Sequence, residues 1–316
     1  MDVRDSSHVG TIAGVTDRLH VLAFDHRRSL MASFFGVGSE PSRDDVERAR
    51  LAKRLIWRGF LLARDEGVGH GSAAVLIDVT YGDQVLGEAR SAGIRFAIPV
   101  EDSGREEFGF ESPRWPDLLD EIEPTWAKAL VRYDPEGDPA VNARQRAALR
   151  ELSDHCRKTE RGYMLELLVP PSPSRLDAVA GDRGLFDREV RADLTVRGIA
   201  EMQEAGVEPN LWKLEGFEQP ADYERVVAAA RSGGRDRVGC IVLGRGEDAA
   251  AVERWLRAGA GVNGVVGWAI GRTIWWDPLR AFFAGEDADE EGAVTRIAAN
   301  YRHFVDVDGS AAAHRA

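Results

Sequence analysis

Four ionisable residues, Asp25, Lys128, Glu166 and Lys213, sit inside runs that otherwise read as buried strands. In Tyr163-Met164-Leu165-Glu166-Leu167-Leu168-Val169 the carboxylate is flanked on both sides by apolar residues, and Leu211-Trp212-Lys213-Leu214-Glu215 puts an amine in the same situation. An unpaired charge in such a place costs roughly several kcal/mol or more, so these groups must meet one another or shift their proton affinities. Two amines and two carboxylates in one low-dielectric space are what Schiff-base chemistry requires. A lysine attacks a carbonyl only as the neutral amine, and burial beside a second ammonium favours that form. Lys128 can supply the second charge to Lys213, while Glu166 and Asp25 can divide the acid and base steps of carbinolamine dehydration and carbon–carbon cleavage. The alternative is a buried ion-pair layer with no chemistry, since structural networks perturb proton affinities too.

The elements that must bring these residues together follow from periodicity. Eight short apolar runs, 20–25, 74–79, 94–99, 127–133, 163–169, 210–216, 238–244 and 263–269, alternate with helical patterns at 43–66, 138–161, 187–205, 220–231, 248–258, 276–284 and 290–304. This is the alternation of βαβ units around a parallel sheet buried on both faces, and eight strands close a ring. The predicted fold class is α/β, a single-domain (β/α)8 TIM barrel over residues 19–305. Residues 1–18 and 306–316 are expected to be flexible ends, because they are polar, small and uncapped. In a barrel, alternate side chains point to the axis, so residues from the first, fourth, fifth and sixth strands can converge.

Further candidates lie at the expected strand ends. The turns Leu243-Gly244-Arg245-Gly246 and Ile270-Gly271-Arg272-Thr273 follow the last two strands, where barrel enzymes commonly hold phosphate. Gly244, Arg245, Gly271 and Arg272 are therefore phosphate-binding candidates, and Arg27 joins them beside Asp25. Asp78 and Glu101, at the ends of the second and third strands, can bind sugar hydroxyls, with rim salt bridges to Arg95 or Arg105 as the alternative. His26 either orients Asp25 or contacts substrate, or it is structural. No histidine pair has metal-ligand spacing, so no metal and no cofactor are expected. Gly67-Val68-Gly69-His70-Gly71 reads as a helix stop, and Trp275-Trp276 as barrel-wall packing.

The 316 residues carry 41 Lys and Arg against 53 Asp and Glu, a net charge of −12, which argues against nucleic acid or an anionic membrane as partner. A small anionic molecule remains open if basic residues converge locally, and so does a homo-oligomer. Two isolated cysteines, Cys156 and Cys240, suggest neither a disulfide framework nor a thiolate metal site. With no secretory signal and no run of 18 apolar residues, the cytoplasm is the expected compartment.

Ala23-Phe24-Asp25-His26-Arg27, the stretch from Asp78 to Gly82, Lys128 with Val131-Arg132-Tyr133, Leu165-Glu166, Trp212-Lys213-Leu214-Glu215 and the stretch from Gly267 to Trp275 resemble the class I aldolases of the tagatose 1,6-bisphosphate aldolase group. Within it the sequence is most similar to the aldolase domain of inositol catabolism, which acts on 5-dehydro-2-deoxygluconate 6-phosphate. The resemblance implies Lys213 as Schiff-base lysine, Glu166 as acid/base for its formation, Asp25 as base for bond cleavage and Lys128 as the tuning amine. It places phosphate at Gly244-Arg245 and Gly271-Arg272. The implied reaction is metal-independent cleavage of a phosphorylated keto-sugar or keto-sugar acid to dihydroxyacetone phosphate and an aldehyde. Two positions depart from the pattern: His26 replaces the Gln of the tagatose type, and Tyr133-Asp134-Pro135 stands where the inositol type has His before Pro. The competing readings are a non-catalytic phosphosugar-binding barrel and a lyase for a sulfonated sugar phosphate.

Overall fold

Strands covered on both faces must be apolar on both faces, and this chain meets that demand eight times. The computed structural model describes residues 17–38, 40–69, 71–246, 248–286 and 289–313. Its strands are β1 (Leu19–Phe24), β2 (Ala73–Ile77), β3 (Arg95–Pro99), β4 (Trp126–Arg132), β5 (Gly162–Leu168), β6 (Leu211–Glu215), β7 (Gly239–Leu243) and β8 (Val265–Ile270). They pair in parallel, in chain order, and β8 returns to β1 to close the barrel. The chain is a single-domain (β/α)8 TIM barrel, and each strand lies within two residues of its expected run at either end.

The ring is filled, not hollow. Leu19, Val21, Ala23, Ala74, Leu76, Ala97, Trp126, Met164, Leu211, Ile241, Val266 and Ala269 form one buried cluster in which the large Trp126 and Met164 sit among alanines. This apolar plug leaves polar side chains room only toward the ends of the strands. Closure at β8 depends on Gly267, whose backbone lies at φ 142°; a Cβ there would sit 2.0 Å from the Leu19 carbonyl oxygen.

The helices that wrap the ring are α1 (Arg43–Asp65), α2 (Asp83–Ser91), α3 (Trp115–Ile122), α4 (Pro139–Lys158), α5 (Pro173–Ala178), α6 (Arg183–Glu189), α7 (Arg191–Glu204), α8 (Pro220–Arg231), α9 (Ala249–Gly259), α10 (Arg272–Ala284) and α11 (Glu290–Ala313). Ser42 and Asp45 form a reciprocal capping box at α1, and Asp138 and Asp248 cap α4 and α9. The helix expected at 187–205 is two, because the backbone departs from helical geometry at Val190 (φ −122°, ψ −42°). α10 begins at Arg272, four residues before the expected 276.

The C-terminal expectation needs correction. Residues 306–313 continue α11, because the buried spacing Ile297, Tyr301, Phe304, Val307 carries on past 305. Asp308, 3% exposed, then pins the helix beneath the barrel through Arg18 Nη1 at 3.1 Å and His20 Nε2 at 2.9 Å. Residues 1–16 and 314–316, and His70 in the glycine-rich stretch, lie outside the described residues. No helix among the described residues is long and apolar enough to cross a membrane.

Candidate active site

Strand register explains how the ionisable residues meet. Glu166 on β5 and Lys213 on β6 are register partners, and Lys128 on β4 lies two residues before Leu130, the β4 partner of Glu166. Alternation turns all three to the axis, above the apolar plug. Lys213 Nζ donates to Glu166 Oε2 at 2.8 Å. Lys128 Nζ donates to Asp25 Oδ2 at 3.1 Å and to Glu101 Oε1 at 2.7 Å, and lies 3.0 Å from Glu166 Oε2. Asp25 follows β1 and Glu101 follows β3, so the cluster draws on five strands of the ring, β1 and β3 to β6. Lys128, Lys213, Glu166 and Glu101 are buried, Lys128 at 2% exposed and Lys213 at 5%, while Asp25 is part-buried.

The electrostatics follow from this packing. Burial works against the charge on Lys128, yet Asp25, Glu101 and Glu166 outweigh it and hold the ammonium well above the usual lysine range. Burial likewise works against the Glu166 carboxylate, but Lys128 and Lys213 win and keep it ionised. Asp25 is opposed by burial and held far below the carboxylate range by Lys128 and Lys213. Glu101 goes the other way, because burial outweighs Lys128 and Arg27 and raises its proton affinity. Burial pushes the His26 ring down to about 3 against the pull of Asp25, so it is a neutral imidazole near pH 7. Its Nδ1 lies 3.9 Å from Asp25 Oδ1, and its ring meets the edge of Trp275.

These residues form the floor and wall of a cavity of about 360 Å³, large enough for a small organic ligand. Six arginines line it: Arg27, Arg28, Arg105, Arg132, Arg245 and Arg272. With Lys128 and Lys213 they face six carboxylates, Asp25, Glu101, Asp102, Glu106, Glu107 and Glu166, so in a chain of net charge −12 this lining carries a small excess of cations, which favours an anionic small molecule. The arginines are not equivalent. Arg27 pairs with Glu111, and its Nη2 donates to the Glu101 carbonyl at 2.8 Å. Arg28 and Arg105 pair with Asp102. Arg245, in the left-handed region at φ 52°, pairs with Asp187 at 2.7 Å and Glu215 at 3.2 Å. Arg272 Nη2 donates to the Arg245 carbonyl at 3.1 Å, and among the described residues no carboxylate lies within ion-pair distance of it.

The two candidate glycines act by leaving room. A Cβ at Gly271 would stand 2.4 Å from the Ala23 carbonyl oxygen, so only glycine lets α10 start against β1 and present Arg272 to the cavity. Gly244 leads into Arg245 where a Cβ would press on Ile270 Cγ2 at 3.2 Å.

Asp78 is not brought to the cavity, contrary to expectation. Past the end of β2 its Oδ1 accepts from the backbone N–H of Thr80 and Tyr81, turning it outward, where Oδ2 meets Lys53 Nζ of α1 at 2.6 Å. Asp78 is 0% exposed and Lys53 1%, so the pair is an internal clamp between β2 and α1. Removing one partner of such a pair strands the other charge, so Asp78→Asn should lower unfolding stability by about 3–5 kcal/mol. Urea unfolding of the variant measures this, and an unchanged midpoint would contradict the clamp. Glu101 does reach the cavity, but bonded to Lys128 and not to Arg95 or Arg105.

Comparison with known proteins gives the chain a place. The sequence profile of the family described as an uncharacterized protein conserved in bacteria (DUF2090) matches residues 5–311. The chain belongs to the DUF2090 family. No curated protein matches it in sequence. Among solved structures, this DUF2090 chain is similar to an archaeal fructose 1,6-bisphosphate aldolase at 10% identity over 95% of this chain and 96% of that one, with TM-score 0.55. An archaeal fructose-1,6-bisphosphate aldolase with its catalytic Lys covalently bound to a carbinolamine intermediate is 12% identical over 94% and 96%, with TM-score 0.54. The protein Cgl0159 of Corynebacterium glutamicum is 16% identical over 92% and 88%, also with TM-score 0.54. At these identities the likeness establishes the fold.

The DUF2090 site also contains residues that sequence reasoning missed. Glu215 lies two residues beyond Lys213 on β6, and Arg132 two beyond Leu130 on β4, so strand alternation alone could have placed both on the inner face. Glu215 holds the Val169 N–H at 2.9 Å and Arg245 Nε at 3.2 Å. Arg191, 2% exposed, adds Nη1 to Asp187 at 2.8 Å and Nη2 to the Gly216 carbonyl at 2.6 Å. This network ties the loops after β5, β6 and β7 together beneath Arg245. Asp187 and Arg191 straddle the α6–α7 break, for which the sequence carries no signal.

Proposed function

We propose that this DUF2090 protein is a class I aldolase that cleaves a phosphorylated keto-sugar through an imine on Lys213. The observation that carries the reading is the enclosed Lys213 amine, hydrogen-bonded to Glu166 beside a second, carboxylate-saturated lysine, at the floor of an arginine-rimmed cavity. Attack on the ketone requires the unprotonated amine, and Glu166 Oε2 is the oxygen placed to take its proton. The same carboxyl can then protonate the carbinolamine hydroxyl, which leaves as water. The resulting iminium accepts the electron pair of the breaking carbon–carbon bond. Asp25, on the far side of Lys128, takes the proton of the hydroxyl that becomes the aldehyde. The enamine left behind takes a proton at its carbon, balancing the one lost from the hydroxyl, and hydrolysis of the regenerated iminium releases dihydroxyacetone phosphate and the free Lys213 amine. The iminium is itself the electron sink, so the proposed chemistry calls for neither metal nor cofactor.

The phosphate is assigned to Arg272 and the N-terminus of α10, with the Arg245 loop behind them. Candidate substrates are 5-dehydro-2-deoxygluconate 6-phosphate and the 1,6-bisphosphates of tagatose and fructose. The test is release of dihydroxyacetone phosphate from these compounds in the presence of a chelator; no release from any would contradict the proposal. Arg272→Ala should raise KM about 10–100-fold, the worth of a lost charge-assisted contact of about 1.5–3 kcal/mol. Unchanged KM would move the phosphate elsewhere.

A further inference from the structure

Asp25 is well placed to meet a substrate hydroxyl and poorly suited to keep its proton. Lys128 and Lys213 hold its carboxylate ionised against burial, which makes it a weak base. The residue beyond it in the hydrogen-bond chain has the opposite character. Lys128 Nζ bridges Asp25 Oδ2 (3.1 Å) and Glu101 Oε1 (2.7 Å), and Glu101 is 7% exposed with Oε2 buried and without a hydrogen-bond partner. The groups facing Glu101 are Lys128, Arg27 and Asp25, and burial still dominates over both cations to raise its proton affinity.

We propose that the proton removed from the substrate hydroxyl during carbon–carbon cleavage comes to rest on Glu101, passed through Asp25 and Lys128. The inference depends on the Schiff-base reading above. The hydroxyl O–H bond breaks and its proton goes to the Asp25 carboxylate, while the electron pair of the carbon–carbon bond moves into the iminium to give the enamine and free aldehyde. Lys128 gives one N–H proton to Glu101 and takes the proton from Asp25, remaining an ammonium throughout. Nothing is oxidised or reduced. Once the aldehyde has left, Glu101 gives the proton up to water entering the cavity, and the same path run backwards supplies a proton to the aldehyde oxygen in the condensation direction. Lys128 thereby acts as a conduit as well as a charge, and Glu101 is a catalytic participant on the aldehyde side only, with no part in forming the imine.

That separation gives the test. Dihydroxyacetone phosphate alone probes imine and enamine formation, through borohydride trapping and through exchange of its carbon-bound hydrogen in deuterium oxide. Condensation with glyceraldehyde 3-phosphate and cleavage of fructose 1,6-bisphosphate probe the hydroxyl proton. Glu101→Gln should keep trapping and exchange within about 5-fold of the unaltered protein and lose cleavage and condensation by about 100-fold or more, the usual worth of a general acid–base group. Asp25→Asn should show the same split. A Glu101→Gln protein that cleaves within about 5-fold of the original, or loses exchange as fully as cleavage, overturns the assignment. Should the amide variant not fold, Glu101→Asp decides: cleavage reduced about 10-fold with exchange intact supports the relay, and equal loss of both overturns it. If the unaltered protein itself forms no adduct, the Schiff-base reading fails, and this inference with it.

Discussion

Lys213→Met should lower turnover by about 10⁴-fold or more, the scale expected when the covalent nucleophile is removed, while the protein folds normally. Folding should survive because Glu166 is not stranded: Lys128 remains 3.0 Å from the same Oε2, and a methionine of similar length fills the space among the inner-face side chains. Circular dichroism and urea unfolding verify the fold, and steady-state release of dihydroxyacetone phosphate measures the loss. Wild-type-like turnover in a folded Lys213→Met protein would exclude an imine at this residue.

The second large effect belongs to Glu166. An amide keeps the shape and the hydrogen bond but cannot carry a proton between amine and hydroxyl, so Glu166→Gln should slow imine formation by about 10²–10⁴-fold. Lys128 keeps its contacts with Asp25 and Glu101 in this variant, which separates the loss of proton transfer from collapse of the cluster. The rate of adduct accumulation in rapid-quench borohydride experiments reads the step directly. Unaltered accumulation with lowered overall turnover would place Glu166 in cleavage and not in imine formation.

The barrel was legible because its strands are short, apolar on both faces and separated by helical patterns, so period and burial agree at every strand. The four charges were legible for the same reason, since Lys128, Glu166 and Lys213 interrupt apolar runs and Asp25 ends one. What escaped notice depended on direction beyond a strand's end. Asp78 reads as a rim carboxylate, but its turn toward Lys53 is set by two backbone N–H groups that no periodicity encodes. Glu101 continues the inward alternation of Arg95, Ala97 and Pro99, so its inner position was available in the sequence; its bond to Lys128 required knowing that β3 and β4 align Pro99 with Lys128. α2 and α3 escaped because Gly87 weakens the first and the second spans only 8 residues. The end of α11 escaped because its polar, small residues hide the buried Val307 and Asp308.

A covalent bond between Lys213 and a ketone can be read by mass spectrometry of the protein after incubation with dihydroxyacetone phosphate and borohydride. One reduced adduct per chain is expected, located by peptide mapping on Lys213 and missing from Lys213→Met. An adduct on Lys128 or on a surface lysine, or no adduct under conditions where the protein turns over a keto-sugar phosphate, would contradict it.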